Sequence, residues 1–390
     1  MTKPRILLVH NRYQSPGGED AVVEDEAALL RSRGHAIETY IRDNRELCDM
    51  SALGAFAQSV WARRAVADVK RIIARFDPNV VHVHNSFALV SHAVHWAASD
   101  ARIPVVQTLH NFRLLCVQAM FLRGGRVCED CLGRSPWRGV LRRCYHGSAP
   151  QSAAIASALM VHRALGTYRD KVTRYIALTE FCRSKFIAGG LPPEKVVVKP
   201  NFVDAAVPAA LPRSGALFVG RLAPEKGIDT LLGALAVAPQ LSLEVIGEGP
   251  ERAKLAGHPR VRLLGWLNPQ KVRERMARAA YLVVPSLWYE NFPRTLVEAF
   301  ACGLPVVASR LGAMQELVEH GFTGLLFEPG STHELARQMR WAEAFPEKMR
   351  RMGTHARAKY EVEFTPSVNY DRLMAIYADA IAATKVEIAA

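Results

Sequence analysis

The 390-residue sequence predicts an α/β protein made of two doubly wound domains, each a parallel sheet with crossover helices. Two observations predict it. Short β-branched runs alternate with longer helical patterns along both halves of the chain. The length also exceeds what one compact core normally serves.

The first series opens with Ile6–Val9, read as a buried strand, and the loop Asn11–Gly18. A helix follows from about Glu19 to Arg33, with Val22, Val23, Ala27, Leu29 and Leu30 on its apolar side. Gly34 is a helix stop, and Ala36–Tyr40 is the next strand. Val80–Val83, Val105–Leu109, Tyr175–Leu178 and Val196–Val198 complete this series. The second series has strands at Leu217–Val219, Leu243–Ile246, Val261–Leu264, Leu282–Val284 and Val306–Ala308. Helices are expected between them near Gly227–Ala236, Pro269–Arg278 and Pro293–Cys302. The expected domains are 1–203 and 204–364, hinged near 200–212. A final amphipathic helix over 365–390 either finishes the second domain or crosses back to the first.

Composition narrows the class. Hydrophobic residues make up 49% and charged residues 22%, as in ordinary globular proteins. No apolar run approaches the roughly 18–20 residues needed to cross a bilayer. The apolar run after Met1–Arg5 is too short for a signal peptide, so the expected location is cytoplasmic. The net charge of +13 is uneven: residues 101–200 hold 16 basic and 5 acidic side chains. Such a patch suits an anionic partner, whether a phosphorylated acceptor, an anionic membrane surface or nucleic acid; a plain solvated surface is the other reading. No recognisable nucleic-acid module accompanies it.

In open α/β sheets, ligands bind beyond the carboxyl ends of the strands, where helix N-termini point at anions. Gly17 and Gly18 follow the first strand and let backbone amides approach a phosphate. After Leu217–Val219, Arg221 offers paired donors and Lys226 a compact charge; an ion pair of Arg221 or Lys226 with Glu225 is the structural alternative. Gly247-Glu248-Gly249-Pro250 lacks the third glycine of a dinucleotide fingerprint, and no Gly-Lys-Ser/Thr occurs, so there is no P-loop. In Ser286–Ala299, Glu290 falls in a loop and Glu298 inside the helix that Pro293 opens. A carboxylate in that helix can accept from both hydroxyls of a ribose, and one in the loop can hold sugar hydroxyls.

Gly220-Arg221, Lys226-Gly227, Gly247–Pro250, Leu264-Gly265-Trp266 and the Glu290–Glu298 pair together resemble the retaining glycosyltransferases of family 4. The likeness covers nearly the whole chain and is most specific between 216 and 330. It implies the GT-B fold, two Rossmann-like domains facing across a cleft, with the C-terminal helix crossing back. It implies that Arg221 and Lys226 bind the donor diphosphate, Glu298 the ribose and Glu290 the transferred sugar. Main chain near Leu264 and Trp266 would hold the base. Backbone of Asn291, Phe292, Pro293, Arg294 and Thr295 would lie by the sugar and phosphates, and Gly17 and Gly18 would reach the phosphates. Gly247 belongs to the same donor set. Relatives often have a small, glycine-rich stretch where this chain has Asn291–Arg294, which leaves the sugar open. His110 matches a cleft-facing histidine of the family. His84 shares one strand face with His82 and is a candidate for the acceptor side.

The expected reaction moves a hexosyl group from a UDP- or GDP-sugar to a glycan or polyprenyl-diphosphate-linked acceptor, with retention. His110, Glu290, Arg221 and Lys226 would carry it. No Asp-x-Asp occurs, so transfer is expected to need no metal or other cofactor. The alternative is a non-catalytic sugar-binding or scaffold protein on the same fold.

Cys116, Cys128, Cys131 and Cys144 lie in an insert-like stretch, 113–148. They suit one structural Zn²⁺, four reduced thiols, or a redox pair at Cys128 and Cys131. The stretch also holds Arg113, Arg123, Arg126, Arg134, Arg138, Arg142 and Arg143 among Phe121, Leu122 and Trp137. It is the expected contact with a lipid-diphosphate acceptor or the inner membrane face.

Overall fold

The computed structural model describes residues 3–14, 17–205 and 212–389. Ser15 and Pro16 of the glycine loop, and 206–211 of the expected hinge, lie outside them. Contacts divide the chain into two units. The first holds Met1–Met120, Glu129–Pro200 and Asn369–Ala390; the second holds Phe121–Cys128 and Asn201–Val368.

The first unit is built on strands β1 (Ile6–Arg12), β2 (Ile37–Asp43), β3 (Val80–Asn85) and β4 (Val105–Thr108). Beyond a short hairpin, β5 (Leu122–Arg123) and β6 (Arg126–Val127), it adds β7 (Arg174–Ala177) and β8 (Val196–Val198). Their order is β2-β1-β3-β4-β7-β8, and every pairing is parallel. β3 is buried at all six positions, as a central parallel strand covered on both faces must be. One core cluster joins Ile6, Leu8, Val80, Val106 and Ile176 of the sheet to Leu373, Tyr377 and Ala380 of the long helix Pro366–Ala389.

The second unit holds β9 (Ala216–Val219), β10 (Leu243–Ile246), β11 (Val261–Gly265), β12 (Tyr281–Val284), β13 (Val306–Ser309) and β14 (Gly324–Phe327). The order β11-β10-β9-β12-β13-β14 is again all parallel. Chain order runs outward in both directions from β9 and β12, which makes the gap between them the switch point where such sheets bind ligands. Apolar clusters cover both faces of this sheet. The architecture is GT-B.

The insert is more structured than its sequence suggests. It contains the β5–β6 hairpin and a helix, Trp137–Leu141, and the hairpin groups with the second unit. Phe121, expected on a surface, is fully buried with its ring edge-on to Tyr289 at 6.2 Å.

Candidate functional site

In the second unit, three strand-end loops press together backbone to backbone. Gly227 has φ +75°, and a Cβ there would lie 2.0 Å from the Pro285 carbonyl oxygen after β12. Gly247 has φ +139°, and its Cβ would lie 1.9 Å from the Gly220 oxygen after β9. No side chain fits either position. Leu287 N–H donates to Glu225 O at 2.8 Å and Leu222 N–H to Glu248 O at 2.9 Å, tying the loops together.

Glu290 is buried at the centre of this assembly, 7% exposed. Its Oε1 accepts from Lys226 Nζ at 2.6 Å, Ser286 Oγ at 2.7 Å and Trp288 Nε1 at 2.9 Å. Lys226 also lies 5.3 Å from the centre of the Trp288 ring. Three donors, one of them charged, balance the burial of a carboxylate. Arg221 pairs with Glu225, the structural alternative noted above, but keeps 64% of its side chain exposed. The pair is open on the arginine side only, since the Glu225 side chain is 9% exposed.

Glu298 sits on the helix Arg294–Ala301, and its Oε1 accepts from Arg294 Nε at 3.1 Å. Pro293 is the residue just before that helix. Asn291 is buried, while the Phe292 ring packs edge-on to Phe364 at 5.9 Å and joins the core. The Phe292 side chain is therefore a packing element. Thr295 is partly exposed on the first turn. Gly265 takes φ +67° between part-buried Leu264 and Trp266, a residue 73% exposed.

In the first unit, Gly17 caps the helix Gly18–Ser32 and its N–H donates to Asp20 Oδ2 at 2.8 Å. Nothing lies within 4 Å of a Cβ on Gly18, so that backbone is open. Asp20 also accepts from His10 Nε2 at 2.8 Å. Burial opposes its charge, but the bonds from His10 and Gly17 outweigh this and hold its carboxyl below the usual range. His84 and His110 meet at the ends of β3 and β4, Nδ1 to Nε2 at 2.9 Å with rings stacked. Burial above all keeps both rings from protonating; His84 is pushed down to about 3. Asn111 bridges Tyr13 OH at 3.0 Å and Glu19 Oε1 at 2.8 Å.

The four cysteines expected as a zinc set are divided between the units, Cys128 in the second and Cys116, Cys131 and Cys144 in the first. None of the seven cysteines forms a disulfide. Tetrahedral Zn²⁺ with bonds of about 2.3 Å needs sulfurs about 4 Å apart. Among the described residues, the only set of three or more metal-ligating side chains within 4.8 Å of one another is Glu26, His82 and His84. Cys116, Cys131 and Cys144, all in the first unit, make no such set.

Glu26 also lay outside the sequence reading, although a signal was there. It occupies the apolar stripe of its helix, between Val22 and Val23 on one side and Leu30 on the other, where a charge needs a buried partner. Ser286 and Trp288 carry no such signal, because their role depends on how one loop folds.

Residues 212–359 match the model for glycosyl transferases group 1, and residues 17–201 match a glycosyl transferase 4-like domain. A D-inositol 3-phosphate glycosyltransferase of Mycolicibacterium smegmatis is 29% identical over 97% of this chain and 92% of its own length. An uncharacterized glycosyltransferase of Methanocaldococcus jannaschii is 33% identical over 129 residues, and the chain spans only 36% of that relative. The structure of Anabaena HepE in complex with UDP and glucose superposes with a TM-score of 0.68 at 21% identity, covering 96% of this chain and 99% of that one.

Proposed function

Because this chain belongs to the glycosyl transferases group 1, we propose that it transfers a hexosyl group, with retention, from a nucleotide-diphosphate sugar to a glycan or polyprenyl-diphosphate-linked acceptor of cell-surface polysaccharide. The observation that carries this reading is the switch-point assembly of the second unit. Lys226, Ser286 and Trp288 converge on buried Glu290, with Arg221 and Glu298 on the adjoining loop and helix. That set offers cations to a diphosphate and carboxylates to hydroxyls, which is the chemistry of a nucleotide sugar. The UDP held by the Anabaena structure agrees with it.

In the proposed reaction, Arg221 and Lys226 stabilise the charge that develops on the departing diphosphate. Glu290 fixes Lys226 before the donor arrives and holds sugar hydroxyls afterward. Glu298 exchanges its bond from Arg294 for ribose hydroxyls. No residue need act as a covalent nucleophile, and positioning of the two substrates supplies much of the rate. The donor set that meets the diphosphate is made of side-chain cations, so turnover is proposed to be independent of added metal.

The acceptor is proposed to reach the enzyme at an anionic membrane surface through the first unit. No helix among the described residues is long and apolar enough to cross a membrane. The helix Trp137–Leu141 nonetheless exposes Trp137 and, at 85%, Leu141, beside exposed Arg134, Arg138, Arg142 and Arg143. It packs on the helix Ala149–Ala164, which also packs on Ala52–Val60, and that helix exposes Leu53 and Phe56. Apolar side chains ringed by arginine suit a headgroup layer at the inner face of the cell membrane.

A thermal-shift panel of UDP, GDP, ADP and their sugars tests the reading. One nucleotide diphosphate is expected to stabilise the protein, and NMR of the product should show the donor's anomeric configuration kept. No shift with any of them, or turnover abolished by EDTA and restored by Mn²⁺, would contradict it.

A further inference from the structure

Next to His110, the first unit buries titratable side chains that the proposed reaction leaves unused. Glu26, His82, His84 and Lys199 are each at most 3% exposed. Glu26, His82 and His84 are spaced like metal ligands, but their other neighbours oppose that use. Lys199 Nζ lies 3.2 Å from Glu26 Oε2, so a buried ammonium already answers the carboxylate. His82 has both ring nitrogens engaged, Nδ1 by Tyr377 OH at 2.7 Å and Nε2 by Thr108 Oγ1 at 2.8 Å. A dication would meet a fixed positive charge and an occupied imidazole.

The same contacts dictate where protons sit. Burial pushes the Glu26 carboxyl up, but Lys199, His82 and His84 together outweigh it and hold it well below the usual range. An ionised carboxylate only accepts. Its Oε1 lies between two imidazoles, 3.1 Å from His82 Nδ1 and 3.2 Å from His84 Nε2. Neither Oε1 nor His84 Nε2 makes a well-formed hydrogen bond, so the carboxylate faces His84 Nε2 as an electrostatic neighbour. His84 Nε2 therefore carries the hydrogen, and in a neutral ring Nδ1 is a lone pair. That lone pair faces His110 Nε2 at 2.9 Å, so His110 Nε2 must donate. His110 Nδ1 is left as a bare acceptor on a residue that remains 9% exposed. His10 does not compete: it lies edge-on to His84 at 6.5 Å and is bonded to Asp20.

We propose that Glu26, acting through His84, fixes His110 as its Nε2–H tautomer and so presents Nδ1 as the acceptor for a substrate hydroxyl. This rests on the reading of His110 as substrate-facing. Glu26 and His84 are positioning residues, and His110 is the group that touches substrate. An acceptor nitrogen binds an O–H and has nothing to offer a phosphate or carbonyl oxygen. The hydroxyl belongs either to the transferred sugar or to the acceptor alcohol.

The direct test is nitrogen NMR of the full chain labelled with ¹⁵N-histidine, with His110→Asn supplying the assignment. His110 is expected to be protonated at Nε2 and bare at Nδ1 near neutral pH; the opposite tautomer or an even mixture overturns the proposal. Glu26→Gln offers His84 an amide that can either donate or accept, and His84→Phe removes the lone pair while leaving the Lys199–Glu26 pair. In whichever variant keeps the wild-type circular dichroism, His110 is expected to lose its single tautomer. An unchanged signal there overturns the relay. UDP-glucose is the kinetic probe. If the hydroxyl is the sugar's, His110→Asn slows UDP-glucose hydrolysis up to about tenfold, as loss of one hydrogen bond allows; if it is the acceptor's, only transfer slows. Loss of neither overturns the proposal. A correct tautomer in a protein that turns over no nucleotide sugar supports the relay and defeats the proposed function instead.

Discussion

At the strand ends of the second unit, the polar side chains carry formal charge and several keep contact with water. Arg221 is mostly exposed, Lys226 is 22% exposed, and Glu298 is 19% exposed. At the corresponding strand ends of the first unit, His84 and His110 are neutral, buried and bonded to each other. Both units reach these ends by parallel sheets of six strands. On the proposed function, the difference follows from what each must exchange. Charges that meet a diphosphate must leave one partner for another, so partial hydration and replaceable ion pairs serve them. A histidine that must present one nitrogen needs fixed neighbours, which burial provides.

Substitutions that break this comparison should differ most at the glycines. Gly247→Ala puts a Cβ within 1.9 Å of backbone, whereas Gly18→Ala meets nothing within 4 Å. The first is expected to lose more than about 3 kcal/mol in chemical denaturation and the second under about 0.5 kcal/mol. Comparable losses would mean that the crowded loops relax freely. Next, Lys226→Ala is expected to lower kcat/KM roughly 100-fold, about 2.7 kcal/mol, and also to lower the denaturation midpoint, because buried Glu290 loses its cationic partner. A smaller change than for Arg221→Ala would shift the diphosphate role to the exposed arginine.

Acid should separate the units. Unfolded histidine titrates near 6.5, while burial holds folded His95 down to about 4 and His84 to about 3. Below about 6.5 the unfolded state binds more protons, so stability present above that pH falls as pH drops through this window. Fragments protected in hydrogen exchange should open first in the first unit, and earlier opening of the second would contradict this. The smallest effect is expected at the surface: Leu141→Ser should weaken co-sedimentation with phosphatidylserine vesicles only a few-fold, because a single apolar side chain is involved. No change would remove this helix from the proposed membrane face.

Much of the fold was legible because parallel strands buried on both faces read as β-branched runs. Val196–Val198, Leu243–Ile246 and the helix Pro269–Arg278 match the observed bounds. Gly324–Phe327 was not read as a strand, since it is short, starts with glycine and follows a turn. The insert's hairpin has two-residue strands, too short for any periodicity. Arg221, Lys226, Glu290 and Glu298 could be named from their places at the strand ends together with the family resemblance. Their actual partners could not: that Glu290 gathers Ser286 and Trp288 depends on loop conformation, and that Phe292 turns inward depends on Phe364, more than seventy residues away.

The central claim is that the second unit holds a nucleotide diphosphate with Glu298 on its ribose. It is tested most directly by calorimetric titration of whichever of UDP, GDP and ADP stabilises the protein, into wild type and Glu298→Ala. The account predicts one saturable site in wild type and at least about tenfold weaker binding in the variant, roughly 1.4 kcal/mol. Equal affinity in both proteins would contradict it.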